Sequence, residues 1–513
     1  MPNITIREQD LTTASYNIES SDVVFIPGFI SSTVSPMEDL PAAKEAIYCE
    51  TIDQFRYYFG AVAPTFATDQ LYSSMPQGTS WSTNAIPVGG VFAAAGTYDY
   101  GYVMALRLLG MGIPVVFARV NSDIGPIKNK GNIADIPVLT TGGAYEVNDI
   151  YFAIDENQYY QVVLDSGELD WVVTNAGTAF AGLTYVNDPS ISDLYSAMLG
   201  TVANDHEDSI FYTVADKGSY NIKYLTSGGY PTFEFNETAG VNTIENVVVS
   251  TMLKVAADVS AIGRGDCIAL IDHTNNPNRS LDPTNTTSVY SSVNAATVFV
   301  SNDNRNEFGA MFTPWCEYVI ADNSQMIMAG SYGYLTTLAD ALPNNGNWLA
   351  IAGVNRGRPP YIVAPYLSTQ VLTNRIADSY SSTNIAINAI TEIKPYGYTI
   401  WGNRTLKNNG GRLTATSFLN IRNMISDIKK VSYSASRSLM FEQNNEILWI
   451  NFKAKISPLL DRLVSGYGLQ KYKLIRLAST DKTKLVAKIT IYPVYAVESF
   501  DITIELRDDE ASN

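Results

Sequence analysis

Cys267, Asp272 and His273 are the closest grouping of residues that could do chemistry. A thiol nucleophile needs its sulfur beside an imidazole and an oxyanion hole next to both. The run Cys267-Ile268-Ala269-Leu270-Ile271-Asp272 reads as a buried strand. Six steps along a strand span roughly 20 Å at ~3.3 Å per residue, so Cys267 and His273 do not meet unless the chain turns back. A buried strand cysteine and a histidine at a loop edge is the plainer reading. Arg264-Gly265-Asp266 matches an adhesion tripeptide, but it leads directly into this apolar run and reads as a turn entering a strand. Ser301-Asn302-Asp303-Asn304 offers oxygen ligands without the spacing or closing glutamate of a calcium loop. The chain has two histidines, His206 and His273, neither of them in HExxH, and no GxxxxGKS/T or GxSxG. The three cysteines, Cys49, Cys267 and Cys316, form neither CxxC nor an even disulfide framework. No catalytic residue, cofactor or metal site is expected, and a Cys/His hydrolase is the weakest of the function classes considered.

The chain of 513 residues exceeds what one core fills, since single cores stop growing near ~250–300 residues, so at least two folded units are expected. Hydrophobic residues make up 46% and charged residues 17%, which fits an ordered chain. Low charge together with 32 tyrosines suits a protein that buries surface against copies of itself, although binders and adhesins share that signature. A net charge of -17 argues against direct nucleic-acid binding. Charge is unevenly spread: residues 391–490 hold 17 Lys and Arg against 6 Asp and Glu, a balance of +11, which leaves -28 for the rest. That basic segment is either a solvated face or a surface that pairs with acidic parts of neighbouring subunits. The start, Met1-Pro2-Asn3-Ile4, lacks the charged and apolar regions of a signal peptide, and no run approaches 18 apolar residues, so no membrane insertion is expected.

Ile4 and Ile6 alternate with polar neighbours, which gives residues 1–20 the pattern of an extended arm. Val23-Val24-Phe25-Ile26 before Pro27-Gly28 reads as a buried strand closed by a turn. Helices are expected over 50–60 and 99–110, the second capped by Asp99 and ended by Gly110 and Gly112, with a strand over 113–120. Turn pairs and short alternating pieces, including 160–164 and 171–174, give 121–246 the character of a β-rich insert. A helix over 243–256 precedes the strand at 267–272. Phe418, Ile421, Ile425 and Ile428 share one face of a helix over 417–430. A second helix over 445–464 contains Pro458 and ends at Gly466 and Gly468. Residues 485–494 read as a strand, and Phe500, Ile502, Ile504 and Leu506 then alternate strictly with polar residues.

Asn388-Ala389-Ile390, Tyr396-Gly397-Tyr398 and Trp401-Gly402-Asn403-Arg404-Thr405-Leu406 resemble the signature of contractile tail sheath proteins, "N-x-I … G-x-x-x-W-G-x-R-T-L". Phe441-Glu442-Gln443-Asn444-Asn445-Glu446-Ile447-Leu448-Trp449 is similar to the family's "F-E-P-N-D-x-x-L-W", with Gln443 in place of proline. Phe25-Ile26-Pro27-Gly28, Met311-Phe312-Thr313-Pro314-Trp315 and Gly346-Asn347-Trp348 resemble softer landmarks, and the family's "PGVY" opening is absent. The likeness covers roughly half of the chain, and the blocks around Trp401, Gly402, Arg404, Thr405, Leu406 and around Phe441, Glu442, Asn444 carry most of it.

The resemblance implies an α+β, multidomain chain with an α/β sheath core built from N- and C-terminal parts, a β-rich inserted domain and extended terminal β-arms. The boundaries that follow are an arm at 1–20, core at 21–120, insert at 121–246, a middle sheath domain at 247–370, a C-terminal sheath domain at 371–492 and a second arm at 493–513. It further implies a virion tail component, assembled in the host cytoplasm. Such a subunit stacks as hexameric rings around an inner tail tube, meets baseplate and tail terminator proteins, and shortens to drive the tube through a cell envelope. Strand donation to neighbours would use Ile4, Ile6, Phe500, Ile502, Ile504 and Leu506, each apolar anchor gaining roughly 1.5–3 kcal/mol on full burial. Sliding of subunits would bring Lys429, Lys430, Arg437, Lys453 and Lys455 against acidic neighbours. The residues alone also admit a surface array or adhesin-type structural protein, and pairing of both end strands within their own chain.

Overall fold

A computed structural model describes residues 22–31, 41–67, 70–71, 91–93, 95–121, 127–139, 145, 147, 149–153, 155–156, 158–165, 167–174, 189–201, 204, 206–230, 247–257, 263–272, 304–320, 323–343, 345–365, 387–407 and 413–498. Eight strands form the central sheet: β1 (Val23–Gly28), β2 (Ala46–Cys49), β3 (Val115–Arg119), β4 (Ile222–Leu225), β5 (Ile268–Asp272), β6 (Gly309–Thr313), β7 (Asn388–Ile393) and β8 (Gly397–Trp401). Their order is β8-β7-β6-β5-β4-β1-β3-β2, the inner six parallel and the two edge strands antiparallel. Strands β1, β3, β4, β5 and β6 are buried along their whole length, as parallel strands covered on both faces must be. This is why their sequences are unbroken apolar runs and not alternations.

Helices cover the sheet where the sequence supplies caps and an apolar face. Helix α1 (Ile52–Phe59) starts at Thr51, whose hydroxyl accepts from Gln54 N, and stops at Gly60 with φ +85°. Helix α2 (Tyr100–Gly110) is capped by Asp99, whose Oδ2 accepts from Tyr102 N at 2.6 Å, and is almost wholly buried. Helix α3 (Ile191–Leu199), α4 (Val247–Ala256) and α5 (Gly330–Ala341) also bury apolar residues in the main core, α3 and α5 without a side-chain cap. A three-stranded antiparallel sheet, Gln325–Met328, Cys316–Val319 and Ile362–Pro365, adjoins α5 in sequence.

The segment read as a single insert, 121–246, is divided in the fold. Ile127–Gly131, Ile150–Ala153, Gln158–Asp165 and Glu168–Thr174 make a separate four-stranded sheet. Beyond it, α3 contributes Leu194, Tyr195 and Met198 to the main core, and β4 lies in the middle of the central sheet. Within the region expected to form a C-terminal domain, β7 and β8 also belong to the central sheet.

A second, smaller core starts at Phe418. It joins helix α6 (Leu419–Arg437) and helix α7 (Glu446–Ser465) to an antiparallel hairpin, β9 (Leu469–Leu477) and β10 (Val486–Pro493). Ile421, Met424 and Ile428 of α6 meet Phe452, Ile456, Leu459, Leu460 and Leu463 of α7 at helical spacing. Helix α6 runs on to Arg437, past its expected end at 430, α7 matches its expected span to within a residue, and β9 is a strand that the sequence reading passed over. The irregular register between Leu469 and Lys471 resets the alternation, so Leu469, Tyr472 and Leu474 all face the helices.

Candidate functional site

In doubly wound sheets a ligand sits beyond the C-terminal ends of the strands, where the strand order reverses. Here that point lies between β1 and β4. Side chains fill it. Phe29, Phe66, Tyr100, Tyr230 and Trp315 are all buried and stack edge to face with centroids 5.3–6.4 Å apart. Gly101 and Gly228 bring backbone so close to Pro27 O that a Cβ at either would collide with it. Asp99 accepts hydrogen bonds from Tyr230 Oη, Phe29 N and Tyr102 N. Burial pushes its carboxyl up to about 6 against the opposing pull of those bonds. The crevice is an internal joint tying β1, α2 and the turn after β4.

The residues first considered for chemistry are also structural. Arg264 is buried, with Nε on Asp266 Oδ1 at 3.0 Å, Nη1 on Val214 O at 2.6 Å and Nη2 on Tyr220 O at 2.7 Å, so this tripeptide is an internal clip. Cys267 is fully buried, and burial pushes its thiol up to about 12, away from the nucleophilic thiolate. His273 and residues 301–303 lie outside the described residues. His206 Nδ1 is 2.9 Å from Leu199 O in a local turn.

The sheath-like sequence blocks fall on two joints. Asn388 at the start of β7 clamps the first: its Nδ2 donates to Arg404 O at 2.9 Å and to Met311 O at 3.1 Å, and its Oδ1 accepts from Arg404 N at 2.7 Å. Gly402 packs against Asn388 with no room for a Cβ. Thr405 N donates to Ser417 O, and Leu406 N to Gly309 O with its side chain in the main core. Arg404 lies over the Phe418 ring and pairs with Glu498, while Trp401 is half exposed at the end of β8. This corner fastens the last central strands to the start of α6. At the second joint, Asn444 donates to Lys482 O at 2.9 Å and accepts from Arg476 Nη2 at 2.8 Å, holding the hairpin tip against the turn between α6 and α7. Asn445 then caps α7, accepting from Leu448 N at 2.9 Å. Beside it Phe441 is fully exposed at φ +68°, with Glu442, Met440, Ile447 and Ile450 also on the surface.

Strands β9 and β10 pair only with each other, so among the described residues both outer edges of the hairpin are open. Lys471, Lys473, Lys488 and Tyr492 lie on its solvent side. An open edge with a basic face can accept a strand from another chain, and lysines on it discourage indiscriminate pairing.

Of the five cationic residues expected to meet neighbours, Arg437 and Lys453 are exposed, Lys455 is half-buried, and Lys429 lies 5.6 Å from the Phe308 ring centre. Lys430 is different: it is buried, donates to Ile222 O and Asn221 Oδ1, and burial lowers its ammonium to about 8. Its charge is used inside the subunit. The six proposed strand-donor anchors, Ile4, Ile6, Phe500, Ile502, Ile504 and Leu506, lie outside the described residues. Sequence reasoning also passed over Lys223, whose ammonium stands 2.9 Å from Asp22 and 2.8 Å from Asp427 and so links β4 to α6. The available signal was a lone lysine inside the apolar run Ile222-Lys223-Tyr224-Leu225.

No protein-family model and no curated protein matches the chain. Solved structures do. A chain of the anti-feeding prophage (AFP) baseplate in contracted state aligns over 100% of this chain and 99% of its own length, at 14% identity and a TM-score of 0.55. A chain of the six-fold symmetrised AFP baseplate aligns over 99% of both, at 12% identity and a TM-score of 0.50. The chain shares its fold with these baseplate chains. A chain of the PVC sheath complex in contracted state aligns over 48% of this chain and 64% of its own length, so less than two thirds of it is spanned, at 21% identity and a TM-score of 0.36. Within that shared fold, the hairpin and the Asn388 corner both belong to the last third of the chain.

Proposed function

We propose that this chain is the sheath subunit of a contractile tail or related injection apparatus. It assembles as stacked hexameric rings around an inner tube, and its contraction drives that tube through a cell envelope. Its partners are further copies of itself, the tube protein, and baseplate and terminator proteins. Its role is structural and not catalytic, and its place is the assembled tail. The observation that carries this reading is the hairpin whose two edges are open among the described residues, fastened to a body that aligns along its whole length with a chain of a contracted baseplate. The sheath-like blocks support it, because they build the two joints that hold the hairpin in place. Sequence patterns at 3–6 and 500–506 supply strands for donation. The filled crevice between β1 and β4 agrees with a structural role.

The two structures that align over almost the whole chain with TM-scores of 0.50 and 0.55 are baseplates, which favours as a second reading a related ring at the end of the sheath. Polymer length separates the two. Purified protein, alone or with its tube partner, is expected to give long cross-striated tubes in negative stain; single rings would support the second reading, and monomers under all conditions would overturn both. Deleting residues 499–513, which leaves Glu498 on Arg404, is expected to yield a folded monomer by circular dichroism and gel filtration that no longer polymerises. Normal tubes from that truncation would remove strand donation from the mechanism.

A further inference from the structure

At its tip, the hairpin and the α6–α7 turn enclose an open groove of about 540 Å³ lined by Asn444, Arg476, Ser479, Asp481, Lys482 and Lys484. Asp481 turns inward to its own loop, accepting from Thr483 N at 2.8 Å and Thr483 Oγ1 at 2.7 Å. Arg476 Nη1 makes exposed contacts with Glu446 at 3.2 Å and with Asn445 O at 3.4 Å. Lys482 and Lys484 make no salt bridge among the described residues. From Leu469 to Pro493 there are six basic residues and one acidic residue. From Val497 to Asn513 the balance is reversed, six acidic and one basic, and three of the acids are consecutive: Asp508-Asp509-Glu510.

Resting on the sheath reading, we propose that Asp508, Asp509 and Glu510 of one copy seat in the tip groove of another copy and lock the donated strand. Direction and length lead to this placement. Strand β10 runs from the tip to the base of the hairpin, so a strand added antiparallel to it runs towards the tip. The alternating residues Phe500 to Leu506, six steps apart, span ~20 Å at ~3.3 Å per residue, close to the ~23 Å of β10. The next residues therefore emerge at the tip, where Lys482 and Lys484 wait. Addition along β9 in the same sense would carry the acids to the base instead.

The donor is a second copy because of where the chain leaves the module. Tyr495 packs on Phe418 and Glu498 pairs with Arg404, both beside the start of α6, while the groove lies at the far end of α6. That helix is ~28 Å long. Ten residues from Glu498 to Asp508 reach ~33–36 Å only when fully extended, which leaves almost nothing for a reversal. Groove contacts with carboxylates would be charge-assisted and screened by salt.

Two cysteine variants with different tags, Asp509→Cys and Lys482→Cys, test this after mixing, assembly and mild oxidation. The native thiols are buried and do not compete. The expected result is a mixed disulfide dimer in assembled material only, and none when Ser465→Cys at the hairpin base replaces Lys482→Cys. A disulfide within single chains carrying both substitutions, without mixed dimers, would place the tail in its own groove and overturn the proposal, as would preferential bonding at Ser465→Cys. Independently, D508N/D509N/E510Q is expected to need about tenfold more protein to polymerise at low salt. K482E/K484E should show the same defect, and combining it with D508K/D509K should restore assembly. Tubes formed by D508N/D509N/E510Q at the wild-type concentration would overturn the lock and leave the sheath reading standing. Absence of wild-type polymers would overturn both.

Discussion

Lys223 is fully enclosed within β4, and two carboxylates from different elements decide its state. Burial alone would discharge it; Asp22 and Asp427 outweigh that and hold its ammonium above the ordinary lysine value. Removing one member of such a group strands the remaining charges, at a cost of about 3–5 kcal/mol. Lys223→Met is therefore expected to lower the urea midpoint sharply, and adding Asp427→Asn should recover part of the loss; an unchanged midpoint would show that the group is not structural. Asp272 behaves oppositely. It accepts from Ser331 N at 2.9 Å and Ser331 Oγ at 2.6 Å, yet burial pushes its carboxyl from 3.8 to about 7. Between those values the folded chain holds a proton that the unfolded chain has released, so this residue's contribution to stability falls as pH rises through the window. Asp272→Asn keeps the shape without the titration. Its melting temperature relative to wild type is expected to be higher at pH 7.5 than at pH 5, and an equal difference at both would refute this assignment.

Elements were legible wherever one physical signal dominated. Helices α6 and α7 follow from periodic Ile, Met and Leu, and α2 from Asp99 and its apolar length. Strands β1, β3 and β5 follow from short apolar runs between turns. Strand β9 was not legible, because Lys471, Lys473 and Arg476 dilute its apolar content and the irregular register at its start breaks the period of two. Nor could β4 be separated from the neighbouring β-rich segment, since its place in the central sheet is a long-range fact about β1 and β5. The Asn388 corner was visible only through family resemblance, because hydrogen bonds between 388 and 404 leave no periodic trace. Gly466 and Gly468 were read as helix terminators, and the structure adds a second reason for them. Trp348 lays its ring against both and donates from Nε1 to Gly466 O at 2.8 Å, joining the central body to the end of α7. Gly468→Ala should therefore cost about 1–3 kcal/mol through overpacking of that ring. In G468A/W348A the alanine should add nothing beyond the tryptophan loss; additive costs in denaturant titrations would show that the ring is not what the glycine accommodates.

At the scale of the whole molecule, the joints argue for a subunit that moves as one body. The Asn388 corner, the Lys223 group and the Trp348 contact all tie the hairpin module to the central sheet. Under the proposed reading, shortening of the lattice must then occur between subunits, with donated strands acting as tethers and surface charge biasing one packing over another. Lys430 cannot serve as such a charge, because its ammonium is spent on Ile222 O and Asn221 inside the subunit. Arg437 and Lys453 can: both are exposed, and Arg437 makes a surface contact of 3.3 Å with Gly218 O. Reversing both, Arg437→Glu with Lys453→Glu, is expected to leave the monomer's melting temperature within about a degree of wild type, since exposed charges contribute little to folding. Assembled sheaths of that variant should remain extended under conditions that contract the wild type, as scored in electron micrographs. If they contract to the same extent and at the same rate, the basic surface is no lever, and the energy of contraction must lie in the apolar and strand contacts alone.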